Sequence, residues 1–108
     1  MAYDEVLAER VRDLVMGPDV AEQRMFGGLA FLIHGNMAVA ASGQGGLLVR
    51  VDPDGPVPDD AEPMVMRGRV MRGWLRVEGD AVQGDAELAG WVRRGVDFAR
   101  TLPPKPGK

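Results

Sequence analysis

Arg67, Arg69, Arg72 and Arg76 crowd a short stretch around Trp74, with only Glu78 against them. Exposed arginines flanking an aromatic on one strand face are the ingredients of a single-stranded nucleic-acid platform: the cations track phosphates and the ring stacks a base. The supply is small, since one tryptophan stacks about one base, and no RNP-like aromatic series or basic recognition helix accompanies it. The plain alternative is a solvated sheet edge, with Trp74 partly buried under a terminal helix and its arginines paired to an acidic loop.

Other chemistry has less to work with. His34 is the only histidine; it sits in a His34-Gly35-Asn36 turn signature with no cysteine or second histidine to complete a zinc site or a catalytic constellation. Paired glycines in Met25-Phe26-Gly27-Gly28 can bring backbone amides close to an anion. They lead into a strand, however, and lack both the G-x-G-x-x-G spacing and a Walker lysine, so a bulge or a site of close helix packing is the expected use. Met16, Met25, Met37, Met64, Met66 and Met71 read as core filler, except that Met64 and Met66, beside a proline-rich loop, are expected at an exposed patch. The acids Asp4, Glu5, Glu9, Asp13, Glu22 and Glu87 fall on helix surfaces, and no two are placed by spacing at one cleft. A hydrolase or transferase would need a polar pocket near Gly27, His34 and Arg50. The residues name no catalytic, cofactor or metal site.

The chain has 108 residues, 45% of them hydrophobic and 27% charged, which suits one globular domain that folds without metal or disulfide. Absence of cysteine is compatible with a reducing compartment, the start MAYDEVLAER is acidic where a signal peptide is basic, and no apolar run reaches a membrane span. The expected location is therefore cytoplasmic, with no membrane partner. A net charge of -3 argues against a protein that coats nucleic acid over its whole surface.

The elements that must carry these residues are organised around Arg24 to Val51. This segment has no charged residue between Met25 and Val49, and turn clusters at 34–36 and 42–46 divide it into three apolar runs. It predicts an antiparallel meander: a strand of Leu29, Phe31 and Ile33 with both faces apolar, hence interior; a small-residue strand over Asn36 to Ala41 that a helix can approach closely; and a third with Leu47, Val49 and Val51 toward the core and Leu48 and Arg50 away from it. Before it, Tyr3, Leu7, Val11, Leu14 and Val15 form the stripe of a helix that Gly17-Pro18 stops, and Asp19 to Gln23 reads as a polar connection. After it, Asp52 to Pro63 reads as an acidic surface loop with at most a helical turn near Asp59 to Glu62. A short strand near Val65 and a longer one over Val70 to Glu78 follow, with Met71, Leu75 and Val77 on one face and Arg72, Trp74 and Arg76 on the other. Asp85 is the expected N-cap of a last helix whose stripe is Leu88, Trp91, Val92, Val96 and Ala99. The fold class is α+β, with a sheet of about five antiparallel strands in the order α-β-β-β-(loop)-β-β-α and helices packed on it. Residues 1–102 form the domain and 103–108 a flexible proline-rich tail.

Arg24 to Met37 (RMFGGLAFLIHGNM), followed by Gly46 to Val51 (GLLVRV), Met71 to Trp74 (MRGW) and a final amphipathic helix, resembles the TfoX N-terminal domain family over almost the whole chain. The resemblance implies an α+β, secretion-chaperone-like fold and no enzymatic activity. It implies a regulatory role related to natural competence, as a co-activator beside a cyclic-AMP-responsive transcription factor. Regulators of that family carry a second, C-terminal helical domain; with the sequence ending at Lys108, a single-domain member is expected. The motif positions Arg24, Met25, Phe26, Gly27, Gly28, Gly35, Met37, Gly73 and Trp74 carry over as structural or surface markers, and no catalytic residue comes with them. The function expected is a non-enzymatic regulatory or protein-interaction domain, with a protein partner, the transcription machinery among the candidates. The alternative is a weak nucleic-acid binder using Arg67, Arg69, Arg72, Arg76 and Trp74. Exposed strand edges also allow a homodimer.

Overall fold

Asp4 accepts the backbone N–H groups of Val6 and Leu7 on Oδ1 at 3.0 and 3.1 Å, capping a first helix, α1, over Glu5–Val15. The computed structural model describes residues 4–15, 17, 19–25, 27–43, 45–59 and 61–104. Tyr3, Met16, Pro18, Phe26, Gln44, Asp60 and the tail from Lys105, which enter the expectations above, lie outside the described residues, as do the side chains of Met25 and Met66. In α1 the buried stripe is Leu7, Ala8, Val11 and Val15; Leu14, expected within it, is 46% exposed.

Six strands follow, β1 Val20–Met25, β2 Gly28–Ile33, β3 Asn36–Ala41, β4 Leu47–Arg50, β5 Glu62–Met66 and β6 Arg69–Val77, then a 3-10 turn at Gly79–Val82 and the last helix, α2, over Asp85–Arg100. All pair antiparallel in one sheet of order β1-β2-β3-β4-β6-β5. The fold is the expected α+β meander with one strand more. Val20–Met25, which takes in most of the Asp19 to Gln23 segment read as a polar connection, is an edge strand registered on β2 from Val20↔Ile33 to Met25↔Gly28. Its Glu22, Gln23 and Arg24 are exposed, and such polar residues suit an edge that must not recruit further strands. Pro63 is tolerated in β5 because that strand is the opposite edge. Near 59–62, expected to hold at most a helical turn, an i to i+3 bond from Ala61 N–H to Pro58 O (3.1 Å) leads the loop into β5.

Both helices cover one face. Leu88, Trp91, Val92, Val96 and Ala99 of α2 are buried as the stripe predicted, against Phe31, Ile33, Val39, Leu47, Val49, Leu75 and Val77. The closest approach is at Gly95, where a Cβ would stand 2.4 Å from Ala38 O and 2.7 Å from Val39 Cγ1. Ala38 is the extra residue of a bulge, since Phe31 pairs with Val39 but Leu32 with Met37. The small-residue strand thus receives a helix, as its composition suggests. Asp85 does not cap α2: it is the first helical residue, Gly84 precedes it without a side-chain cap, and Asp85 accepts Arg10 at 3.1 Å. Arg10 also donates to Val82 O and Gln83 O at 3.1 and 3.0 Å, fastening α1 to the entry of α2. At the other end the buried Asn36 donates to Pro103 O at 2.9 Å, so the chain stays tied to β3 past Leu102. Arg12 holds Glu22 through Nε and, at 2.9 Å, Nη2, joining α1 to the edge strand.

Two outcomes follow for stability. Gly95→Ala is expected to lower the unfolding free energy by roughly 1–3 kcal/mol, because bulge backbone cannot give way. Gly90 has nothing within 4 Å of a Cβ, so Gly90→Ala should instead raise the thermal midpoint by roughly 4–6 °C; circular dichroism melts of the two variants check the opposite signs. The hydrogen bond from Arg12, helped by its charge and opposed by burial, holds the Glu22 carboxyl below the usual carboxylate range. A depressed folded-state value means a stabilisation present above the unfolded pKa of about 4.3 and lost as pH falls through the folded one. Glu22→Gln is therefore expected to cost less than about 1 kcal/mol at neutral pH, the pair being half exposed. Urea titrations at pH 7 and under strongly acidic conditions should show that difference closing in acid.

Candidate interaction surface

With both helices on one side, no described helix residue covers the opposite sheet face. Ala30, Ala40 and Leu48 are buried there, with Leu32, Met37, Met64 and Trp74 packed around them, and no helix residue belongs to this second apolar cluster. Trp74 is consequently half-buried on the face away from the helices, not beneath one as the plain reading of the sequence had it. Gly73, at φ +86°, interrupts the alternation of β6. Met71, expected beside Leu75 and Val77, therefore shares a depression with Trp74. That depression has a volume of about 230 Å³ and a mainly apolar lining that includes Gly28, Met37, Leu48, Arg50 and Met64. The Arg50 guanidinium lies over the Trp74 ring, 5.9 Å from its centroid.

The arginines grouped by the sequence separate in space. Arg67 and Gly68, at φ +55° and +77°, form the two-residue turn between β5 and β6. Beyond Gly73, β6 pairs only with β5: β4 reaches no further than Arg50↔Trp74 and the bond from Val51 N–H to Gly73 O. The outer part of the hairpin, closed by Val65↔Val70 and Met66↔Arg69, is thus a two-stranded ribbon with no third strand among the described residues. Arg67 and Arg69 are exposed on it beside Val65 and Val70, which are 60% and 61% exposed. Arg72, at its base, meets Asp54 of the acidic loop at 2.8 Å, the pairing expected for these arginines, with both side chains open to solvent. Arg76 is not on the ribbon: its side chain is largely covered, donating to Glu78 at 3.1 Å and to Ser42 Oγ at 3.3 Å.

The remaining marked residues take structural places. Arg24 is exposed on β1, and Met25 pairs with Gly28. Gly27 has φ +74° in the connection between β1 and β2. At Gly28 a Cβ would lie 2.2 Å from Ala41 O and 3.1 Å from Gly43 N, so the second glycine serves close packing against β3 and the turn after it. His34 and Gly35, at φ +50° and +82°, make the β2–β3 turn, as the sequence suggests. Sequence reasoning missed what surrounds that turn: Asp19 Oδ2 lies 3.7 Å from His34 Nε2 and accepts Arg100 at 3.3 Å. No spacing signals this corner, because Arg100 and Asp19 are 81 positions apart. Gly27, His34 and Arg50 are not brought together in the depression: among the described residues it is lined by Gly28 and Arg50 but by neither Gly27 nor His34. Among the described residues no group of three or more His, Cys, Asp or Glu side chains is placed to hold a metal ion, and no helix is long and apolar enough to cross a membrane.

No curated protein and no solved structure is significantly similar to the chain. A family model described as the TfoX N-terminal domain matches residues 13–99, from the second half of α1 almost to the end of α2, and takes in the whole sheet with both its faces. With that match spanning most of the chain, the protein belongs to the TfoX N-terminal domain family.

Proposed function

We propose that the protein is a non-enzymatic regulatory domain that acts by holding a protein partner, in the manner of TfoX-type transcriptional co-regulators, and that the outer β5–β6 ribbon is its contact surface. One observation carries this reading: a cross-strand valine pair, Val65 and Val70, stands more than half exposed on a two-stranded ribbon between Arg67 and Arg69. An isolated two-stranded hairpin is marginal in water, and exposed apolar pairs rimmed by charge mark surfaces that a partner covers. The rim is basic, so the partner surface is apolar with acidic residues around it. Membership in a family of regulatory type, with no known enzyme among its defining features, supports the same reading. The transcription machinery is the partner class that this relation favours, and the setting is the cytoplasm.

A photo-crosslinking residue placed at Val70 in cells tests this. The expected result is one dominant crosslink to a different protein, reproduced with that protein purified and abolished by Val65→Asp. Crosslinks only to a second copy of the chain, or crosslinks indifferent to Val65→Asp, would overturn it.

The exposed Arg67 and Arg69 favour a second reading, in which the ribbon contacts nucleic acid. Fluorescence anisotropy with labelled single- and double-stranded DNA across a salt series decides it. Phosphate contacts predict binding that weakens steeply with salt and falls further in Arg72→Ala. Because the Arg72–Asp54 pair is exposed, that substitution should leave stability within about 0.5 kcal/mol, so a loss of binding reports the contact and not the fold. Absence of binding even at low salt leaves the protein-partner reading standing.

A further inference from the structure

We propose that the depression on the uncovered sheet face is a binding site for a small monocarboxylic acid with a compact apolar body, its carboxylate held by Arg50 and its hydrocarbon part against Leu48, Met64 and Trp74. The shape comes from the choice of residues. The floor is of small residues, Gly28 and Ala40, and the walls are long ones, Met37, Met64 and Trp74, so the face is hollow at its centre. The volume of about 230 Å³ exceeds the 150 Å³ or so of an apolar cavity that takes up benzene, leaving room for a ring or short chain of roughly nine non-hydrogen atoms. Thioether walls adapt to such a body without a fixed shape of their own.

Arg50 specifies the charge. Three arginines are half-buried, and two of them have acids: Arg10 holds Asp85 and Arg76 holds Glu78. Arg50, the third, has the Trp74 ring beside it and no carboxylate within ion-pair distance among the described residues. Among the described residues no acidic side chain lines the depression. A partly desolvated guanidinium stacked on an aromatic presents its planar fork to a carboxylate, where two parallel hydrogen bonds are available and charge-assisted. A single cation facing an otherwise apolar hollow fits a monoanion with a hydrocarbon body and fits a polyanion poorly. The site is independent of the partner reading, because Val65 and Val70 are no part of the lining.

The test is a titration of the isotope-labelled chain, followed by amide and indole N–H correlation spectra, with sodium 3-phenylpropionate and, separately, the uncharged 3-phenylpropan-1-ol. The expected result is saturable shifts confined to the depression, the Trp74 indole N–H included, with the acid binding roughly tenfold tighter than the alcohol, as a charge-assisted pair predicts. Arg50→Gln should bring the acid down to the level of the alcohol and leave the alcohol unchanged. Ala40→Leu, filling the floor, should remove both, its own spectrum reporting that the fold persists; if that variant unfolds, the Arg50→Gln comparison decides alone. Equal affinity for acid and alcohol, insensitivity to Arg50→Gln, shifts that map to the helical face, or no saturable shifts would each overturn the proposal.

Discussion

The packing of α2 on β3 depends on a contact that has no room for a side chain. Gly95 meets the carbonyl of Ala38, the extra residue of the bulge, and the side chain of Val39. Close seating there lets residues on either side of Gly95, Trp91 and Val92 before it and Val96 and Ala99 after it, close over the strands. The α1 helix is positioned in turn by α2, since Arg10 binds two carbonyls and one carboxylate where α2 begins. Two helices of modest length are therefore spent on the same face, and their apolar stripes and the inner sheet residues make one continuous core.

What this arrangement leaves open determines the other side. The outer face has only a small apolar set, and its buried members are shielded by neighbours on the sheet itself. Gly73 is central to that shielding. With φ at +86°, it takes β6 out of simple alternation just where β4 ends, so that Met71 turns to the Trp74 side and the rest of the β5–β6 hairpin continues as a free ribbon. The hollow and the ribbon are thus neighbours built from the same strand, the first apolar with one stacked arginine, the second basic with an exposed valine pair.

Charge is arranged to match. Acids engage arginines where elements meet: Asp85 with Arg10 between the two helices, Glu22 with Arg12 between α1 and the edge strand, and Asp19 with Arg100 at the end of α2. Exposed pairs of this kind add little stability, but they fix which way long side chains lie. Arg67 and Arg69 have no such acid among the described residues, so a chain of net charge -3 still presents a locally positive arm.

Much of the fold was legible in the residues themselves. Helical stripes, the paired turn residues at His34-Gly35, the double-sided apolar strand and the small-residue strand that admits a helix are all local patterns, and each acts through its own backbone geometry. The edge strand β1 was not legible, because an edge needs no apolar alternation: its ladder and register come from β2. Nor was the hollow. Met37, Leu48 and Arg50, Met64 and Trp74 come from four strands and share a face only through the registers of β3, β4, β6 and β5, while Met71 joins them past the positive φ at Gly73. Placement of Trp74 opposite the helices could not be read from alternation either, since period two says which residues share a face and not which face a helix will cover. The sequence by itself therefore determined the family and every element but the edge strand β1 and the 3-10 turn, through signals that act within a few residues. Only the tertiary structure decided which sheet face stays uncovered and what gathers there, because that depends on where α2 can come close enough to dock.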